Sequence, residues 1–407
     1  MPRVTAASIL VLAQALASGC AAKMDSAGDE EDPETISPPG TGGGGGGAVR
    51  SDGGKAGSAT TSDATGPQPC VETCPAPGAG IVAGCKKRFL YGVNYAWHTY
   101  SGDFGGISSW QTEGIYFAPD GVMTDFAQLQ SAGVDVIRWW MFGDLRGDGI
   151  VLDTGSGMPL IGTSLPDDVQ TGLDLAAQFD LHVQLTLFSF NAFSWPFTSN
   201  GAIVPSIAPI VRDAAKRTQL IENVIRPVAK ATALSKNRDR LVSWDVINEP
   251  EWATSGNDGY GDPDFTPDQA AYDTISFSEM QTFIGEIVKV LHEETDVPVT
   301  VGGASIGWKK AWSKVGLDFY TVHMYGWINT RWPYSTAVSS FGLDKPLVMG
   351  EFPLDGIGGA SYGKFVQTIF DVGYAGSLGW QFAESAWDRY APQIKAFADA
   401  HPCITHY

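Results

Sequence analysis

The chain has 407 residues, a formal net charge of −19, an isoelectric point of about 4.6 and 43% hydrophobic residues. That is enough apolar material for a sizeable core, arranged as two average domains or as one large α/β barrel with flanking segments. No Lys/Arg cluster interrupts the acidic balance, which excludes a nucleic-acid partner, since phosphate binding needs concentrated positive charge.

Arg3 is the only early charge, and an apolar run over residues 4–17 follows it. The run ends in Ala17-Ser18-Gly19-Cys20, which resembles a bacterial lipoprotein signal. In that reading cleavage precedes Cys20, and its thiol takes a lipid. The run is too short to span a bilayer as a permanent helix, so the only membrane attachment expected is the lipid anchor. An ordinary secretory signal with a chance Cys is the alternative, and Ala17 stands where the commonest lipoprotein signal has Leu. Ala21 and Ala22 follow, with no Asp to retain the chain at an inner membrane. The expected location is therefore the cell surface or an outer membrane, or else secreted.

Residues 20–68 are dominated by Gly, Ser, Thr, Asp and Pro, with glycines over 42–47. Such a stretch cannot bury apolar surface and reads as a disordered tether. The Gly run is not a phosphate loop: no strand precedes it and no Gly-Lys-Ser/Thr closes it. Residues 69–87 form a cysteine-containing lead-in. Apart from Cys20, the cysteines are Cys70, Cys74, Cys85 and Cys403, an even number that suggests disulfides in an exported chain. Three pairings are possible. The preferred one joins Cys70 to Cys74 and Cys85 to Cys403, the second tying the start of the fold to its end. Scattered spacing without a His pair argues against zinc.

Residues 88–407 alternate short apolar runs with helix-period stretches. Strands are predicted at 88–95, 134–140, 181–188, 241–247, 297–303, 317–324, 346–352 and 375–382. Between them lie amphipathic patterns such as "PDDVQTGLDLAAQF" and "SEMQTFIGEIVKVLHEE", several of them ending in Gly. Runs of Val, Ile and Leu without clean alternation mark parallel strands buried on both faces. Eight such strands, each followed by a helix, predict a (β/α)8 TIM barrel. An open doubly wound sheet would have fewer strands and a Gly-rich first turn.

Catalytic groups in such a barrel sit at the C-terminal strand ends. Those ends carry Asn94 with Trp97 beyond it, then Arg138, then Asn248 and Glu249. Further on come His323 and Tyr325, Glu351 and Trp380. Two carboxyls, a cation, hydrogen-bonding groups and aromatic faces are what cleavage of a glycosidic bond requires. "INEP" at the fourth strand end and "GEF" at the seventh resemble the clan A retaining glycoside hydrolases. The likeness is nearest to glycoside hydrolase family 5, the cellulase and β-mannanase family, and covers residues 88–400. "HMY" on strand six, an Arg on strand two and a Trp on strand eight fit the same pattern.

The resemblance implies that Glu249 is the acid/base and Glu351 the nucleophile. Asn248 would bind the hydroxyl beside the reacting carbon, and Arg138 and Tyr325 would hold Glu351 ionised and oriented. His323 would position the acid/base side, and Trp380 would floor the subsite of the sugar being cleaved. Asn94 and Trp97 are further candidates for substrate contact, and Trp252 and Trp327 for aromatic platforms. Carboxyls three strands apart can approach to about 5 Å, which implies retention of configuration.

The chain departs from the family in having Asn191 where a His is common, and Pro353 after Glu351-Phe352 where a Gly is common. No cofactor or metal is expected. The carboxylates of "DGYGDPDF" lack EF-hand spacing and read as a surface loop. Asp245 is placed deep in the barrel wall and Glu251 on the loop after Pro250. Pro250 itself predicts an extended Glu249, with a bulge that lets Asn248 and Glu249 face the same way.

The implied activity is endo-cleavage of a β-1,4-linked plant polysaccharide by double displacement. Mannan or glucomannan is the first substrate and cellulose-type glucan the second; a monomer is expected. The alternatives are an exo-acting β-glycosidase, or a non-catalytic glycan-binding lipoprotein.

Overall fold

A computed structural model describes residues 80–83, 86–261, 269–383 and 386–405. The chain divides into Met1–Cys70, outside the described residues, and Val71–Tyr407, which holds the fold. The signal and tether expectations, and Cys20, Cys70, Cys74 and Cys85, lie outside the described residues. Cys403 is disulfide-bonded. Among the described residues no helix is long and apolar enough to cross a membrane.

Eight parallel strands close into a barrel: β1 (Leu90–Asn94), β2 (Val136–Phe142), β3 (His182–Ser189), β4 (Leu241–Asn248), β5 (Val299–Gly303), β6 (Tyr320–His323), β7 (Leu347–Glu351) and β8 (Gly376–Gly379). Each strand pairs with its neighbours in chain order, and β8 pairs with β1. All eight were legible because every residue in them is buried, which removes the polar alternation of a half-exposed sheet.

The outer layer is less regular than expected. Helices α1 (Asp120–Ser131), α2 (Leu165–Gln178), α3 (Arg226–Leu234), α4 (Phe277–Glu294), α5 (Tyr362–Asp371) and α6 (Trp387–Ala400) follow β1, β2, β3, β4, β7 and β8. After β5 and β6 the chain forms only short 3-10 turns, at Ile306–Trp308, Ile328–Thr330 and Val338–Phe341. The expectation of a helix after every strand therefore fails twice. Gly326, Pro333 and Gly342, the last with φ 59°, break the helical period after β6. After β5, Trp308, Ala311 and Trp312 are buried in a string of turns that covers the barrel instead. The longest helix, α4, starts at a capping box in which Ser276 and Glu279 bond each other's backbone N–H.

The fold also starts earlier than Arg88. Ile81–Ala83 pairs antiparallel with Lys86–Arg88. Ile81 packs in one buried cluster with Leu90, Val136, Val242, Phe319, Val348, Ala375 and Leu378. These residues belong to or flank β1, β2, β4, β6, β7 and β8, so this apolar plug leaves the polar residues to the opposite, C-terminal mouth.

Candidate active site

At the end of β4 the pairing with β5 shifts register between Asp245 and Asn248, the irregularity that the two polar neighbours required. Glu249 then takes φ 47° and ψ 54°, the left-handed region, and not the extended conformation predicted from Pro250. Its N–H donates to Gly302 O at 2.6 Å, and its carbonyl accepts from Trp252 N at 3.2 Å. The chain must enter the 3-10 turn Pro250–Ala253 while tied to β5, and these two bonds override the local preference. A non-Gly residue held in this region costs of order 1–3 kcal/mol and is characteristic of functional sites.

The Glu249 side chain is held at both oxygens. Oε1 lies 2.7 Å from His323 Nδ1, and Oε2 accepts from Trp252 Nε1 at 2.8 Å. Burial pushes its carboxyl up to about 7, against the opposing pull of the Trp252 hydrogen bond and the Arg138 charge. Burial likewise drives His323 down to about 4, so the ring is neutral near pH 7.

Glu351, at the end of β7, accepts from Arg138 Nη1 at Oε1 and from the Tyr325 hydroxyl at Oε2, both at 2.8 Å. His323 Nδ1 lies 3.4 Å from the same Oε2. Burial also raises Glu351 above its ordinary value, while His323, Arg138 and Tyr325 pull it down. The expected depressing effect of Arg138 is present, but burial outweighs it. Glu351 has a cation as a partner, whereas Glu249 is held by a neutral indole and a neutral imidazole. A single proton shared by the pair therefore belongs on Glu249. Ligand atoms of Glu249, His323 and Glu351 lie within 4.8 Å of one another. A divalent ion could span that distance, but hydrogen bonds within the cluster already engage each of these side chains.

Arg138 is fully buried. Nε and Nη2 donate to Asp245 Oδ2 at 2.9 and 2.7 Å, and Nη2 also to Asn248 Oδ1 at 2.8 Å. Nη1 donates to Asn94 Oδ1 and to Glu351, both at 2.8 Å. All the N–H groups of a guanidinium are thereby spent beneath the site. Asn94 is also fully buried, and its amide donates to Gly350 O, Leu378 O and Gly379 O, lacing β1 to β7 and β8.

Asp245 is fully buried in β4, deep in the barrel wall as expected, and there it is the counter-charge of Arg138. It also accepts from Thr186 Oγ1 and Gly302 N. A signal existed: a carboxylate inside an apolar strand needs a buried cation, and Arg138 stands in another such strand. Glu251 is not a solvated loop residue. It is fully buried, accepts from Ala304 N at 3.0 Å and Trp312 Nε1 at 2.8 Å, and is pushed by burial to about 7. Gly302 and Gly350 were also missed. A Cβ at either would lie 3.1 Å from His323 Nε2, so both glycines make room for the ring.

The aromatic residues sort by burial. Trp380 is half-buried beside β8, its N–H bonded to Phe352 O at 2.8 Å, and its peptide bond to Gln381 is cis. It clusters with Trp140 at 5.6 Å and half-buried Trp97 at 6.3 Å between ring centroids. Pro353 forms a parallel bridge with Trp380. Trp327 is half-buried on the loop after β6, and Asn191 follows β3. Trp252 is nearly covered, packed on Phe190 at 5.8 Å, so it is a hydrogen-bond donor to Glu249 and not an open platform. Of "DGYGDPDF", the segment after Gly261 lies outside the described residues.

No family model matches the chain. It is 25% identical over 335 residues to a mannan endo-1,4-beta-mannosidase of Mytilus edulis, covering 74% of this chain and 85% of that protein. It is 25% identical over 359 residues to one of Cryptopygus antarcticus, covering 78% and 87%. Among solved structures, the beta-mannanase of the blue mussel Mytilus edulis superposes with a TM-score of 0.63 at 22% identity, over 80% of this chain and 97% of that one. That structural likeness establishes the (β/α)8 barrel.

Proposed function

We propose that this chain is a clan A, family-5-like retaining glycoside hydrolase, and that it cleaves internal β-1,4 links of mannan. The observation that carries the chemistry is the pair of carboxyls, half-buried Glu249 and buried Glu351, with ligand oxygens within 4.8 Å of each other. Separations of about 5 Å suit a nucleophile and an acid/base, whereas inversion needs about 6.5–9.5 Å to admit a water. The named relatives, mannan endo-1,4-beta-mannosidases matched over most of their length, support the substrate.

In this mechanism Glu351 attacks the anomeric carbon as the carboxylate, oriented by Arg138 and Tyr325. Glu249, kept protonated by burial, gives its proton to the departing glycosidic oxygen. The bond from the anomeric carbon to that oxygen breaks as the bond to Glu351 forms. Glu249, now ionised, takes a proton from water, which displaces Glu351 and restores the original configuration. The amide of Asn248, whose carbonyl oxygen is fixed by Arg138, is offered to the neighbouring sugar hydroxyl. Trp380 and Trp97 provide the aromatic surface for the sugar being cleaved and the next one. Cellulose-type glucan remains the second substrate. The apolar run over residues 4–17 ending at Cys20 supports an exported, lipid-anchored form.

The test is a panel of β-mannan, glucomannan, β-glucan and xylan with products sized. Manno-oligosaccharides of mixed length are expected early. Mannose alone would point to exo action, and no product from any glycan would refute the reading.

A further inference from the structure

We infer that Trp252 is the positioning residue of the acid/base: its indole N–H fixes Oε2 of Glu249 while His323 fixes Oε1. This rests on the reading of Glu249 as the acid/base. An indole N–H only donates, so Oε2 is an acceptor from Trp252 whether or not Glu249 carries a proton. His323 Nδ1 can donate or accept, and its other nitrogen decides which. Among the described residues, Nε2 is buried with no hydrogen-bond partner. Arg138 Nη2 and its counter-charge Asp245 Oδ2 lie beside Nε2, 2.9 and 3.3 Å from the position a Cβ on Gly302 would take, so Nε2 faces an ion pair. With no acceptor bonded to Nε2 among the described residues, a proton there would be an unsatisfied buried donor. The neutral ring therefore carries its proton on Nδ1 and donates it to Oε1. The acid proton of Glu249 then resides on Oε2, the oxygen that Trp252 anchors.

Two donors aimed at different oxygens fix the plane of the carboxyl. The same hydrogen bond from Trp252 opposes the effect of burial, so the carboxyl can ionise when the second step needs a base. The other groups facing Glu249 do not replace it. Arg138 is committed below the site, Tyr325 and Glu351 are bonded to each other, and Glu251 is held by Trp312 and Ala304. The sequence gives the reason for the contact. The turn Pro250–Ala253 brings position 252 back over position 249, with Trp252 N bonded to Glu249 O.

The experiment is Trp252→Phe, which keeps the ring and removes the donor. The alkaline limb of kcat/KM on mannan should move up by about one pH unit, because the ionised form loses one hydrogen bond. KM should stay within about twofold, since the lost donor faces Glu249 and not the sugar. With dinitrophenyl β-mannoside, whose leaving group needs no proton, the burst should persist and steady-state turnover should fall. An unmoved pH limb, or a many-fold rise in KM alone, would overturn the inference.

A measurement on the unaltered fold guards against a variant that does not fold. In indole-15N-labelled full-length protein, one Trp N–H resonance should titrate near pH 7 and become static in Glu249→Gln. A second one, from Trp312 beside Glu251, should persist. If no indole resonance loses its titration in Glu249→Gln, the inference fails, whatever the activity on mannan.

Discussion

Replacing Arg138 by Lys tests how the site is held from below. The guanidinium makes five hydrogen bonds to Asp245, Asn248, Asn94 and Glu351 with no exposed surface. An ammonium has three N–H groups and no planar fork, so at least two of these bonds are lost. At ~1.5–3 kcal/mol for a hydrogen bond to a charged group, the loss is about 3–6 kcal/mol, a large share of the ~5–15 kcal/mol that holds a domain together. Thermal unfolding should therefore fall by about 6 °C or more at ~2 °C per kcal/mol. The kinetics should change too. Arg138 lowers the pKa of Glu351, which must be ionised to attack. A weaker partner raises that pKa, so the acid limb of the rate profile should move to higher pH. A variant within about 2 °C of the parent, with an unmoved acid limb, would refute the claim that this network orients the nucleophile.

Three further outcomes follow from the same geometry. Glu351→Gln should abolish turnover on every glycan that the parent cleaves; full activity would exclude Glu351 as the nucleophile. Glu249→Ala should be rescued by azide on an activated aryl mannoside, giving the β-mannosyl azide, and an α-azide would contradict retention. Glu251, raised by burial from its ordinary 4.5 to about 7, binds its proton more tightly folded than unfolded. Its contribution to stability is complete below about pH 4.5 and is lost as pH rises through 7. Glu251→Gln should flatten the fall in stability between pH 5 and 8 by up to ~1.4 kcal/mol per pH unit; an identical slope would place the titration elsewhere.

The barrel was legible because its strands are wholly buried, and a run of apolar residues bounded by turn signals survives in sequence. The missing helices after β5 and β6 were harder to foresee. The stretch 309–315 is polar and apolar in helix-like proportion, yet Trp308 and Trp312 pack it as turns. The strand-end list brought Glu249, Glu351, His323 and Tyr325 to one place, since strand ends share one rim of any such barrel. It could not separate residues that reach the cleft from residues that support it. Arg138, Asn94 and Asn248 stand at the same kind of position and all three are buried, so their hydrogen-bond partners decide their roles, and partners depend on register. The left-handed Glu249 was missed for a related reason: the tie to Gly302 is a long-range contact, invisible to the local rule that Pro250 supplies.

The central claim is double displacement on β-mannan by Glu249 and Glu351, and proton NMR of early hydrolysis tests it most directly. With purified full-length protein and mannopentaose, the first reducing-end anomers should be β, relaxing later to the equilibrium mixture by mutarotation. New reducing ends that are α from the first spectrum would contradict the account.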